Sequence, residues 1–122
     1  MITTPDEIVQ VLSRTRYRYC TEDDLQRAIF DSLRGVADVR REVRMGVDRP
    51  DLVVADRIGI EVKIKGGYAD ALRQVARYLK HPEIESVILV GTCAWLAQGC
   101  LPLPVSIEGK PIYYVRLINS LL

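Results

Sequence analysis

From Ser86 to Ile107 the chain carries no charged residue. A stretch of that kind must leave water, and it can do so only in a bilayer or in the interior of a fold. Gly91, Gln98, Gly99, Pro102 and Pro104 argue against the bilayer, because they would break a spanning helix and strand its backbone polar groups in lipid. The run therefore predicts a buried strand over Ser86 to Val90, then a short helix that Thr92 could cap and that ends at Gly99. Strands without a polar face belong to parallel sheets covered on both sides. The rest of the 122 residues must supply neighbouring strands and helices for both faces.

Local patterns supply them. Thr4-Pro5-Asp6-Glu7 is a capping signature that starts a helix reaching about Ser13. Arg14 to Tyr19 alternates like an extended segment with Arg14, Arg16 and Arg18 on one side. Thr21 caps a helix from Glu22 to about Leu33, closed by Gly35. Val39 to Met45 alternates as a strand, Gly46 to Pro50 turns, and Asp51 to Ala55 reads as a short β-run. After the Asp56-Arg57 turn, Ile58 to Ile64 places Ile58, Ile60, Val62 and Ile64 on one face and Glu61 and Lys63 on the other. Gly66-Gly67 precedes a helix from Tyr68 to Lys80, stopped by His81-Pro82. A last strand runs from Ile112 to Ile118. The order predicts an α/β fold with a mixed central sheet flanked by helices, in one domain over 1–122.

Composition removes several functional classes. Seventeen Lys+Arg against sixteen Asp+Glu leave a net charge of +1, unlike a protein that merely coats nucleic acid. Most of the cations are arginines, whose planar fork suits phosphate. Cys20, Cys93 and Cys100 are odd in number, lack zinc-ligand spacing, and follow a start too polar for a secretory leader. They predict small apolar fillers in a reducing, cytoplasmic setting, away from any membrane. Neither a phosphate-binding loop nor a nucleophile elbow is present, which leaves carboxylates and lysines.

Pro50-Asp51 precedes Glu61-Val62-Lys63, and the intervening turn sets Asp51 and Glu61 opposite each other in a hairpin, with Lys63 on the same face. Pro5-Asp6 sits in a helix cap and Glu108-Gly109-Lys110 in a turn, so neither repeats that context. Two carboxylates, with the Val62 carbonyl, suit Mg²⁺, which takes oxygen ligands and keeps several waters. Lys63 could orient a water or offset charge on a phosphorane. A half-exposed strand with solvated Glu and Lys is the plainer alternative. Helical angles place Glu22 within the apolar face of its helix, aimed at the core and in need of a partner, although a carboxylate favouring the helix dipole explains it as well; Asp23 is the fallback. Gln74 and Tyr78 share a helix face. Gln74 could steady Lys63 or a phosphate oxygen, or simply be solvated.

These residues resemble the PD-(D/E)xK nuclease superfamily over about Glu22 to Gly91, little more than half of the chain. The matching pieces are Glu22, Gly46 to Val54 in the form Gly-x-x-Arg-Pro-Asp-Leu-Val-Val, Ile60-Glu61-Val62-Lys63, and Gln74-Val75-x-x-Tyr78-Leu79. The resemblance implies a restriction-endonuclease-like αβββαβ core over about 21–91, with an N-terminal helix and arm and C-terminal strand added to it. It implies Mg²⁺ or Mn²⁺ on Asp51, Glu61 and Glu22, catalysis by Lys63 with Asp51 and Glu61, support from Gln74, and hydrolysis of DNA phosphodiesters. Arg14, Arg16, Arg18, Arg44, Arg49 and Lys65 are the candidate DNA contacts, with Arg40 and Arg41 beside them; a solvated, charge-guarded edge strand accounts equally for the first three. With no recognition helix in view, the reading favours DNA structure or ends over base sequence. A homodimer is expected, because one small site cuts one strand. The alternative is a non-catalytic module that keeps the fold and binds nucleic acid or protein.

Overall fold

The computed structural model describes residues 1–97 and 99–117. It contains helices α1 (Pro5–Arg14), α2 (Glu22–Leu33) and α3 (Tyr68–Leu79) and strands β1 (Val39–Arg41), β2 (Leu52–Val54), β3 (Ile58–Lys63), β4 (Ser86–Gly91), β5 (Ser106–Ile107) and β6 (Lys110–Arg116). The strands form one mixed sheet in the order β1-β2-β3-β4-β6-β5. β1, β2 and β3 are antiparallel, β3, β4 and β6 are parallel, and β5 returns antiparallel along β6. The outer strands, β1 and β5, are only three and two residues long.

The alternation read from the sequence decides which side of the sheet each residue covers. Leu52, Val54, Ile58, Ile60, Val62, Ile88, Val90 and Val115 pack against Ile8 and Leu12 of α1 and Leu25, Ile29 and Leu33 of α2. Val53, Val87, Leu89 and Ile112 face Ala71, Val75, Tyr78 and Leu79 of α3. Burial of each large aliphatic side chain contributes about 1.5–3 kcal/mol, so both helical layers are held mainly by this packing. All six residues of β4 are buried, as the uncharged run requires. Among the described residues no helix is long and apolar enough to cross a membrane.

Helix starts follow the sequence signals. Thr4 with Glu7 and Thr21 with Asp24 complete reciprocal capping boxes, satisfying backbone N–H groups that the first turn leaves unpaired. Several boundaries differ from expectation. β1 stops at Arg41 because Glu42 takes a left-handed φ of 50°, and the residues up to Met45 are irregular. β2 stops at Val54 because Ala55 and Asp56, at φ 54° and 58°, already form the turn to β3. The Arg14–Tyr19 stretch is not a strand: Arg14 closes α1 and donates to the side chain of Gln10 at 2.6 Å, while Tyr17 and Tyr19 pack against the α1/α2 layer. Only Arg16 and Arg18 follow the expected alternation.

After β4 a single 3₁₀ turn covers Ala94–Leu96 with Cys93, not Thr92, at its N-cap and no side-chain cap; its expected extension through Gln98 reaches outside the described residues. β5 has no counterpart in the sequence reading, and β6 starts two residues early, at Lys110; Ile118 also lies outside the described residues. Only Cys93 is a buried filler, since Cys20 and Cys100 are exposed where the chain enters α2 and follows the 3₁₀ turn.

At the end of the β3–β4 pairing Gly91 lies against Lys63, and a Cβ there would lie 1.7 Å from the Lys63 carbonyl oxygen. The same carbonyl accepts the Thr92 N–H at 3.0 Å. We expect Gly91→Ala to force the two strand ends apart and destabilise the fold by roughly 2 kcal/mol or more, lowering the melting temperature in a thermal scan; an unaltered melting temperature rejects this close approach.

Candidate active site

β3 is longer than the strand it pairs with. β2 accompanies it only to the pair Leu52↔Ile60, so the N–H groups of Val62 and Ile64, which point to the β2 side, run past the end of the ladder. Two carboxylates take the place of the missing strand. Asp51 Oδ2 accepts the Val62 N–H at 2.8 Å, and Glu22 Oε2 accepts the Ile64 N–H at 3.1 Å. The helix-face argument thus put Glu22 on the correct side of α2, and its partner is the backbone at the end of β3. Continuing the β2–β3 register sets Asp51 opposite Glu61, and both face α3, as does Lys63.

Glu61 is 3% exposed. Its Oε1 accepts the Tyr78 hydroxyl at 2.9 Å, and its Oε2 lies 3.5 Å from Lys63 Nζ. Burial above all, and then repulsion from Glu61 and Glu22, pushes the Asp51 carboxyl up to about 8; the Val62 N–H and Lys63 oppose the rise. Burial also raises Glu61 above the ordinary carboxylate range, against the pull of Lys63 and Tyr78. The Tyr78 hydroxyl is raised in turn, first by burial and then by Glu61. Two desolvated carboxylates therefore compete for too little positive charge.

That donor set fits a hard divalent cation. Its oxygens are carboxylate, and neutralising the pair would relieve the repulsion that raises Asp51. Among the described residues no three His, Cys, Asp or Glu side chains gather as a metal cluster; the donors that the register sets opposite each other are two, Asp51 and Glu61. Such a sparse set suits Mg²⁺, which keeps several waters. What the structure records for Val62 is its N–H bond to Asp51. Asp23 is engaged elsewhere, pairing with Arg27 at 2.8 Å and Arg41 at 3.2 Å on the exposed side of α2.

The remaining candidates divide. Gln74 is half-buried and lies one turn before Tyr78 on α3, the residue that holds Glu61. Arg44, Arg49 and Lys65 are exposed, Arg44 on the irregular chain after β1 and not on a strand. Arg16 and Arg18 belong to the stretch whose tyrosines enter the α1/α2 layer, across the sheet from the Asp51–Glu61 pair. A cavity of about 460 Å³ bounded by Val9, Leu96, Ile112 and Tyr114 includes none of these residues.

Sequence reasoning missed two contributors. Tyr78 was seen only as a neighbour of Gln74, although the four-residue spacing that pairs them was the available signal. Asp48 accepts from His81 Nε2 at 2.8 Å and from Arg77 Nε at 3.2 Å, which fastens the turn before Asp51 to the end of α3; nothing local in the sequence announces that contact. Comparison with protein-family models, curated proteins and solved structures finds no match.

The raised Asp51 value fixes a sign. The folded chain binds more protons than the unfolded chain between the ordinary carboxylate value of 3.8 and about 8, so this group's stabilising contribution is complete below that window and is lost as pH rises through it. In metal-free buffer the melting temperature should fall between pH 5 and 8.5, and Asp51→Asn should flatten that slope. A wild-type slope equal to that of the variant rules out the buried pair.

Proposed function

We propose that this chain is a divalent-metal-dependent deoxyribonuclease of the PD-(D/E)xK type, with a restriction-endonuclease-like core from α2 to β4. The observation that carries this reading is the pair of desolvated carboxylates, Asp51 and Glu61, beside the Lys63 ammonium. Buried like charges are costly unless a cation answers them, and one lysine serves both.

Asp51 and Glu61 would hold Mg²⁺ or Mn²⁺, with Glu22 and the Val62 carbonyl as further proposed oxygens. The ion, when bound, polarises a phosphodiester and acidifies a water. Lys63 places its ammonium where the phosphoryl oxygens gain negative charge. Tyr78 fixes Glu61 through one oxygen and leaves the other to Lys63 and the cation, while Gln74, one turn before Tyr78 on α3, is the proposed supporting residue. The Asp51 carboxylate is oriented by the Val62 N–H, so its second oxygen is directed without any demand on a mobile side chain. Arg44, Arg49 and Lys65 are the proposed phosphate contacts near the site; Arg14, Arg16 and Arg18 would reach DNA only beyond its rim. A second copy would be needed to cut both strands together.

Branched, single-stranded and linear DNA should be cleaved in Mg²⁺ or Mn²⁺, and Asp51→Asn or Lys63→Ala should each reduce the rate about a hundredfold or more. Equal cleavage by both variants removes the site. Absence of cleavage on every substrate, together with absence of metal binding by calorimetry, favours a non-catalytic module. Tyr78→Phe should keep the fold and slow cleavage about tenfold, since it deletes one hydrogen bond to a charged group; a rate equal to wild type shows that Glu61 needs no such support.

A further inference from the structure

The parallel strands place three residues at one level on the α3 side of the sheet. Lys63 pairs in register with Gly91, and Gly91 with Arg116. Ile112 and Tyr114, which alternate with Arg116 along β6, pack on the α3 side, so Arg116 points to the same side as Lys63. Neighbouring strands lie about 4.8 Å apart, which puts the two cationic residues roughly 10 Å apart across a position that has no side chain. Arg116 is exposed and makes no ion pair among the described residues. The Cys93 thiol lies 3.6 Å from the Lys63 carbonyl oxygen.

Trp95 lies in the 3₁₀ turn that follows β4 and packs on β4 and β6. It stands two residues after Cys93, packs partly against the α3-side core, and stays half-buried. Its indole N–H donates to the Gly66 carbonyl at 2.9 Å, which ties it to the loop after β3 beside the exposed Lys65. The ring is therefore held by its polar edge while part of its apolar surface remains in water.

We infer that Arg116 and Trp95 form a track for an unpaired DNA strand on the β4–β6 side of the site, Arg116 taking a backbone phosphate and Trp95 stacking a base. The inference rests on the nuclease reading for the identity of the polymer, and it narrows the substrate to single-stranded or splayed DNA. A fixed aromatic plane next to a cation is how non-sequence-specific sites hold single strands, because every base has a π-face. In a continuous duplex those faces are covered by stacking, so the ring has nothing to bind there.

Trp95 is the only tryptophan in the chain, so intrinsic fluorescence reports on it alone. Full-length protein in EDTA, titrated with a short oligothymidylate, should show quenching that a blunt duplex of equal length does not cause. Anisotropy of labelled oligothymidylate should show affinity falling about fivefold or more for Trp95→Leu, with unchanged far-UV circular dichroism. Arg116→Gln should weaken binding and reduce the salt slope by about 0.7. If oligothymidylate leaves Trp95 unquenched and Arg116→Gln binds it like wild type, the track is overturned, even where Asp51→Asn still abolishes cleavage. Quenching with both binding losses, in a protein that cleaves nothing in Mg²⁺ or Mn²⁺, supports the track and overturns the nuclease reading instead.

Discussion

The organisation of this molecule depends on two backbone amides that lack a strand to bond to. β3 extends past Leu52↔Ile60, and a buried N–H left unpaired there would cost about 1–3 kcal/mol. Asp51 and Glu22 supply the acceptors, and in doing so they draw the start of β2 and the first turn of α2 to one end of β3. The carboxylates are consequently present for a structural reason before any chemistry is asked of them. Glu61 then stands opposite Asp51 with little access to water, and the elevated proton affinity of Asp51 and Glu61 follows.

What keeps this arrangement rigid comes from three directions. Tyr78 reaches across from α3 to Glu61, Asp48 ties the preceding turn to Arg77 and His81 at the end of the same helix, and Lys110 donates to the carbonyls of Leu79 and His81 at 2.8 and 3.0 Å. The far side is closed by the contact between Gly91 and Lys63. Helix α3 is thereby fixed to the Asp51 turn, to β3 and to β6 together, so a shift of that helix would move Glu61's partner and Asp51's anchor in the same step.

Patterns with a short period were legible in the sequence. The hairpin that faces Asp51 with Glu61 is symmetric about Asp56, the two capping boxes lie within four residues each, and alternation sorted β3 onto its two faces. What was not legible is long-range and aperiodic. Tyr78 reads as one more residue on an amphipathic helix until its hydroxyl meets Glu61. Asp48 and His81 are unremarkable in a turn and at a helix end until the fold joins them. The Arg14–Tyr19 stretch has a strand's alternation, but alternation specifies only which side is buried; a strand also needs an edge to pair with, and this stretch is packed by its tyrosines against helices instead. β1 and β2 were overextended for the related reason that left-handed residues such as Glu42 and Ala55 carry no glycine signal.

The lengths of the outermost strands bear on how this chain behaves in a crowded solution. Nearly half of its residues are hydrophobic, and a sheet of such composition with long bare borders would be a template for fibrous association. Here one border is three residues with Arg40 and Arg41 among them, and on the other the two-residue β5 covers only the first part of the seven-residue β6, which ends at the charged Arg116. Strand-to-strand association is thereby limited on the β1 border, whereas on the other border the length of β6 past Ile112 offers backbone groups with no strand beyond them among the described residues.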